Sequence, residues 1–199
     1  QYINASDSFI AAWLPGTAVE GIADVIFSID GEEQFDFVGK LSYSWPKVKS
    51  QTELNHQDKT YDPLFPFGHG LSYTQFQYSD LEIKMGGSNE VSCKFMIANI
   101  GYVIGAEVAQ CYVAFKNSDN AEPIKTLQGF AKETIGAGDK KTVEIRLTQR
   151  NFSYWDIEDK CWKIRQGSYE ILIGSSATRI HLTETISLEQ VQEVLGPLV

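Results

Sequence analysis

Few cysteines, few cations and no long apolar run set the first limits on this chain of 199 residues. The three cysteines are Cys93, Cys111 and Cys161. Their number is odd and no two share metal-ligand spacing, so neither a disulfide framework nor a zinc site is suggested. They read as small buried hydrophobes. Lys and Arg total 17 against 26 Asp and Glu, a net charge of −9. That balance argues against a nucleic-acid partner, because phosphate backbones need basic patches, and it reads as solubility. No stretch approaches the roughly 18 apolar residues of a membrane-spanning helix, so no membrane partner is expected. Gln1-Tyr-Ile-Asn4 lacks the basic region and apolar core of a signal peptide. It also lacks an initiator Met, so the chain is expected to be a segment of something longer.

What is present falls into parts of different grammar. Phe9-Ile-Ala-Ala-Trp-Leu14 is a continuous apolar run, the pattern of a strand buried on both faces. Pro15-Gly16 supplies a turn. Thr17 stands three before Glu20, a capping-box spacing, and Val19, Ile22, Ala23 and Ile26 follow at helical period. Gly39-Lys-Leu-Ser-Tyr-Ser-Trp-Pro46 reads as a further short strand. One strand–helix unit cannot bury both its faces, so residues 1–50 are expected to be the remnant of a truncated α/β domain. Residues 51–75 form a structured connector. Within it, Pro63 and Pro66 fix φ and withhold donors, while Gly68 and Gly70 open angles closed to other residues.

Residues 76–188 change to period two. Val91, Cys93, Phe95 and Ile97 alternate with polar or smaller neighbours, as do Val143, Ile145 and Leu147, then Tyr169, Ile171 and Ile173, and finally Ile180 and Leu182. Turn signals lie between them at Gly86–Asn89, Asn117–Asn120 and Gly136–Asp139. About seven half-buried antiparallel strands over roughly 110 residues predict an immunoglobulin-like or fibronectin type III-like β-sandwich. The fold class is therefore mostly β, with the α/β piece in front. Residues 189–199 are read as one helical turn or a loose end.

Catalytic chemistry is sparse. No Gly-x-Ser-x-Gly elbow and no informative Cys–His spacing occur. His56 reads as a loop residue, His181 as an outward strand position, and His69, inside the Gly68–Gly70 turn, as a stacked ring. Glu20 and Asp24 share a helix face, while Asp156, Glu158 and Asp159 fill a turn, and both sets read as solvated. Tyr154, Trp155 and Trp162 cluster in the β region, either as a sugar-stacking surface or as a core edge or interdomain contact. No catalytic, substrate-binding, cofactor or metal residue is assigned.

Several motifs together resemble a known family. Ala11-Ala-Trp-Leu-Pro-Gly-Thr17 with Gly21-Ile-Ala-Asp-Val-Ile-Phe27, then Gly39–Pro46, then Tyr61-Asp-Pro-Leu-Phe-Pro-Phe-Gly-His-Gly-Leu-Ser-Tyr-Thr74 are similar to the end of the α/β sandwich domain in family-3 glycoside hydrolases. Asn99-Ile-Gly101, Gly105–Val113, Leu127–Phe130, Trp155-Asp156 and Gly167–Ser176 resemble the fibronectin type III-like domain that follows it in many β-glucosidases. Departures are the acid at Glu20, two positions later than the family's, His69 where Tyr is common, and Cys111 where Leu is usual. The resemblance implies a parent that removes terminal β-glucosyl residues by retaining double displacement. In that parent a barrel Asp is the nucleophile, the acid/base is a Glu outside this chain, and no organic cofactor is required. It implies N-terminal catalytic domains as partners, with a β-glucoside or β-glucan substrate, and family members are often secreted or periplasmic. The alternative is a freestanding carbohydrate-binding or structural β-sandwich module.

Overall fold

The computed structural model describes residues 3–28, 35–56, 60–87, 90–116, 124–188 and 193–195. The chain divides into two compact units, Gln1–Gly39 and Lys40–Val199.

In the first unit a 3-10 turn at Ile3–Ala5 precedes one helix, α1 (Glu20–Ile26). The helix begins two residues later than a Thr17 cap requires. Val19 is its N-cap and makes no side-chain cap bond, so Glu20 sits at the first helical position and the expected capping box is not formed. Phe9–Leu14 is not a strand. It has no ladder partner among the described residues, and Trp13 is 80 % and Leu14 96 % exposed. A strand needs a neighbour for its backbone groups, and apolarity alone does not supply one. No residue of α1 is fully buried: Val19 and Ile26 at the ends of the stripe stand exposed, and Ile22 is only partly covered.

The second unit is the sandwich. Its long strands are β1 (Phe76–Met85), β2 (Val91–Asn99), β3 (Gly105–Phe115), β4 (Thr126–Ile135) and β5 (Lys140–Leu147). A hairpin of β6 (Ser153–Asp156) and β7 (Cys161–Ile164) follows, then β8 (Gly167–Gly174), β9 (Ile180–Leu188) and β10 (Glu193–Leu195). Two sheets, β1-β2-β5 and β4-β3-β8-β9, hold the seven long strands, all pairs antiparallel. The period-two faces meet between them. Val91, Cys93, Phe95 and Ile97 pack with Val143, Ile145 and Leu147 against Ala109, Cys111, Val113, Ile171 and Ile173. Tyr169 on β8 turns its hydroxyl back to donate to the Arg165 carbonyl at 2.8 Å, the tyrosine-corner bond of Greek-key sandwiches.

All three thiols are buried and unbridged. A hydrogen bond to Cys93, together with burial, holds the Cys111 thiol well above its ordinary value. A third small sheet, β10-β7-β6, is built on the hairpin inserted between β5 and β8, with β10 coming from beyond β9. Its strand Glu193–Leu195 pairs with β7, so this part of the tail is neither helical nor loose. The alternation at Ile180 and Leu182 marks the inward face of β9: Leu182 packs against the core in part, and the same face continues to the buried Ile186 and Leu188. Gly39–Pro46 forms only one bridge, Trp45 to Phe65, rather than a strand. Pro46 has no N–H to give, and the facing segment is itself broken by Pro63, Pro66 and Gly68. The expected Asn117–Asn120 turn, Ser88 and Asn89, and the rest of the tail lie outside the described residues.

Candidate functional site

The connector motif is bonded into the sandwich at two points, and these define the site. Gly68 has φ +78°, and a Cβ there would overlap the Gln110 amide. Glycine removes both obstacles. Gln110, 3 % exposed on β3, donates from Nε2 to the Gly68 carbonyl at 3.3 Å and to the Ser175 carbonyl at 2.9 Å. Its Oε1 accepts the Tyr112 hydroxyl at 2.6 Å. Tyr112 meets the edge of His56, which stacks on Phe67 with ring centroids 4.6 Å apart. The Phe67 carbonyl accepts the Ala177 N–H, and the Phe67 N–H donates to the Tyr61 hydroxyl at 2.7 Å. β3 is thus covered on both faces, by the core on one and by connector residues on the other.

The second point is ionic. Lys40 Nζ lies 3.2 Å from Glu107 Oε2, with side chains only 11 % and 5 % exposed. It also donates to the Gly70 carbonyl. Glu107 Oε1 accepts the Tyr78 hydroxyl at 2.9 Å. Burial and the Glu107 carboxylate push the Tyr78 phenol far above its ordinary range. The Tyr78 ring lies flat on His181 at 4.2 Å, and His181 Nε2 shares a 3.0 Å hydrogen bond with Ser175 Oγ.

His56 lies at a turn, as the sequence suggests, with its ring half-buried in a stack. His181 is a half-buried stacking partner rather than an outward ring. His69 stacks on Phe65 at 4.9 Å. Burial, followed by the charges of Lys40 and Arg179, lowers the His69 pKa below its ordinary 6.5. Burial and Arg179 lower that of His181, opposed by Glu107. The unfolded chain then binds more protons than the folded one just below pH 6.5. Stability contributed by these rings is complete above that pH and declines as pH falls through it. A urea midpoint that drops between about pH 7.5 and about pH 5.5, less steeply in His69→Gln/His181→Gln, is the expected result.

The acidic candidates do not converge. Glu20 and Asp24 remain on α1, and Asp156 organises its own turn by accepting the Glu158 and Asp159 N–H groups and Lys163. Among the described residues no group of three or more His, Cys, Asp or Glu could hold a metal ion. Tyr154, Trp155 and Trp162 lie together on the inserted hairpin, but the two indoles meet at 64° rather than coplanar. Arg150 covers the Trp162 face, and Arg165 lies 4.3 Å over Tyr154. Of the three, Trp155 is the exposed one, at 42 %.

Beside the joint lies a pocket of about 460 Å³ whose lining includes Lys40, His69, Glu107, Ser176, Arg179 and His181. Leu71, Tyr73, Ile100, Tyr102 and Ile104 stand exposed along the adjoining loops. The sequence motif marked the connector, but neither Lys40 nor Glu107 was singled out. The signal was there: Glu107 is an acid in an otherwise uncharged β3 stretch from Gly105 to Phe115.

Seven strands in a three-plus-four Greek key define a fibronectin type III-like module. The Fibronectin type III-like domain matches residues 107–177, and the Glycosyl hydrolase family 3 C-terminal domain matches residues 2–73. The chain belongs to the family 3 glycosyl hydrolases and corresponds to their C-terminal part. It is 32 % identical to the thermostable β-glucosidase B of Acetivibrio thermocellus over 97 % of this chain and 28 % of that one. It is 36 % identical to the probable β-glucosidase H of Emericella nidulans, over 90 % of this chain and 24 % of the relative. Among solved structures, a β-glucosidase from Kluyveromyces marxianus superposes with a TM-score of 0.62 at 33 % identity, covering 66 % of this chain and 16 % of that one. One from Streptomyces venezuelae, solved with D-glucose, gives 0.68 at 27 % identity over 76 % and 23 %. The chain thus spans about a quarter of the length of the curated relatives it matches.

Proposed function

We propose that this chain is the non-catalytic C-terminal part of a retaining, exo-acting β-glycosidase of the β-glucosidase type, and that its task is mechanical. The observation that carries this is the double anchoring of the connector. The signature segment Tyr61–Thr74 is clamped to β3 by Gln110, and the residue opening the second unit is tied to the core rim through Lys40–Glu107–Tyr78. Such bonding suits a rigid brace. The exposed Leu71, Tyr73, Ile100, Tyr102 and Ile104 beside it form an apolar surface of the kind that packs on another layer. In this reading the layer is the preceding catalytic part of the same protein, which holds both reacting carboxylates and the glucoside. The domain limits of the reading are a remnant at 1–50, a connector at 51–75, a sandwich at 76–188 and a tail at 189–199.

The purified chain is expected to release no aryl alcohol from an aryl β-glucoside above the buffer rate. Turnover that disappears on substituting Glu20, Asp24 or Asp156 would overturn the reading.

A further inference from the structure

The pocket beside the joint has a charge pattern that bracing does not require. Lys40 and Glu107 neutralise each other, and both Glu107 oxygens are engaged, one by Lys40 and one by Tyr78. Arg179 has no such partner: it makes no ion pair among the described residues and is exposed at the pocket wall. It lines the pocket together with Lys40, Ser176, His69 and His181. Ser176, 5 % exposed, accepts the Arg179 backbone N–H at 3.1 Å, which leaves its hydroxyl proton to donate. Lys40 has three protons and donates to Gly70 and Glu107.

We propose that this pocket binds a small oxyanion, a phosphate or a carboxylate, held by Arg179, Ser176 and the remaining Lys40 proton. Guanidinium and ammonium donors converging on one partly dehydrated volume are the chemistry that selects such groups. The volume of about 460 Å³ accepts an anion with an organic body as readily as an inorganic one. The pocket shares Lys40, Glu107, Leu71 and Ile100 with the mechanical reading, and the titration below tests the anion without the preceding layer.

The test is a titration of the whole 199-residue chain, followed by amide NMR at constant ionic strength set with chloride. Inorganic phosphate and succinate are titrated separately. The expected result is a saturable shift of the Ser175, Ser176 and Arg179 amides with at least one of them. Arg179→Gln weakens it about 10-fold or more, Arg179→Lys keeps part of it, and Arg146→Gln, on exposed β5, leaves it unchanged. Saturation by phosphate alone or by succinate alone assigns the anion's class. A linear, unsaturable drift with both, competition by chloride at equal strength, or an Arg179→Gln chain that binds as tightly as the parent overturns the proposal.

Discussion

Glu107→Leu will lower the stability of the sandwich by about 3–5 kcal/mol, because it leaves the Lys40 ammonium buried with no counter-charge. The side chains concerned are 11 % and 5 % exposed, so water screens them little. The Tyr78 hydroxyl also loses its acceptor. At an m-value of about 2 kcal/mol per molar urea, the midpoint moves down by roughly 1.5–2.5 M. The second arm is decisive. Lys40→Met combined with Glu107→Leu removes both charges and keeps the volume, and it should recover more than half of the loss. A Glu107→Leu cost below about 1 kcal/mol would place the pair among surface ion pairs and remove one of the two anchors of the connector.

Asn99→Ala is the second large effect, about 3 kcal/mol or more. Asn99 is 1 % exposed and uses its whole amide. Nδ2 donates to the Val103 carbonyl at 2.8 Å and the Ile135 carbonyl at 2.9 Å, while Oδ1 accepts the Thr74 hydroxyl at 2.5 Å and the Gly101 N–H at 3.1 Å. One side chain thus holds the β2–β3 turn, the end of β4 and the last residue of the connector motif. Truncation strands several buried polar groups at once, whereas a surface asparagine would cost almost nothing. Thermal unfolding of Asn99→Ala beside Asn55→Ala, at an exposed position, measures the contrast. Equal midpoints for the two variants would show that the bonds around Asn99 contribute nothing net.

The parts of the fold that could be read from the chain are those where one face is buried and the other wet. On β2, β5 and β8 that asymmetry is written as period-two alternation, and the strands lie where the alternation puts them. β3 hides both faces, so its Val108–Phe115 run reads as continuous apolarity with a glutamine inside it. Phe9–Leu14 failed for the complementary reason. Its composition suits a doubly buried strand, but pairing is a property of neighbours, and none is present among the described residues. Of the joint, the connector was legible because Pro63, Pro66 and Gly68 fix backbone angles locally. Its anchors were not, since Lys40 and Glu107 are 67 positions apart and only the tertiary fold brings them together. The same holds for His181. Its strand period pointed outward, yet the Tyr78 ring from β1 closes over it.

The Gln110 amide reaches the Gly68 carbonyl on one side and the Ser175 carbonyl on the other. A chimera spliced at Phe76, where the first strand starts, would therefore inherit an amide that keeps Ser175 and Tyr112 but has lost its Gly68 carbonyl, and an outer flank of its central strand without the connector. Engineers exchanging modules between such enzymes should cut ahead of Lys40, so that the clasp travels with the sandwich it fastens.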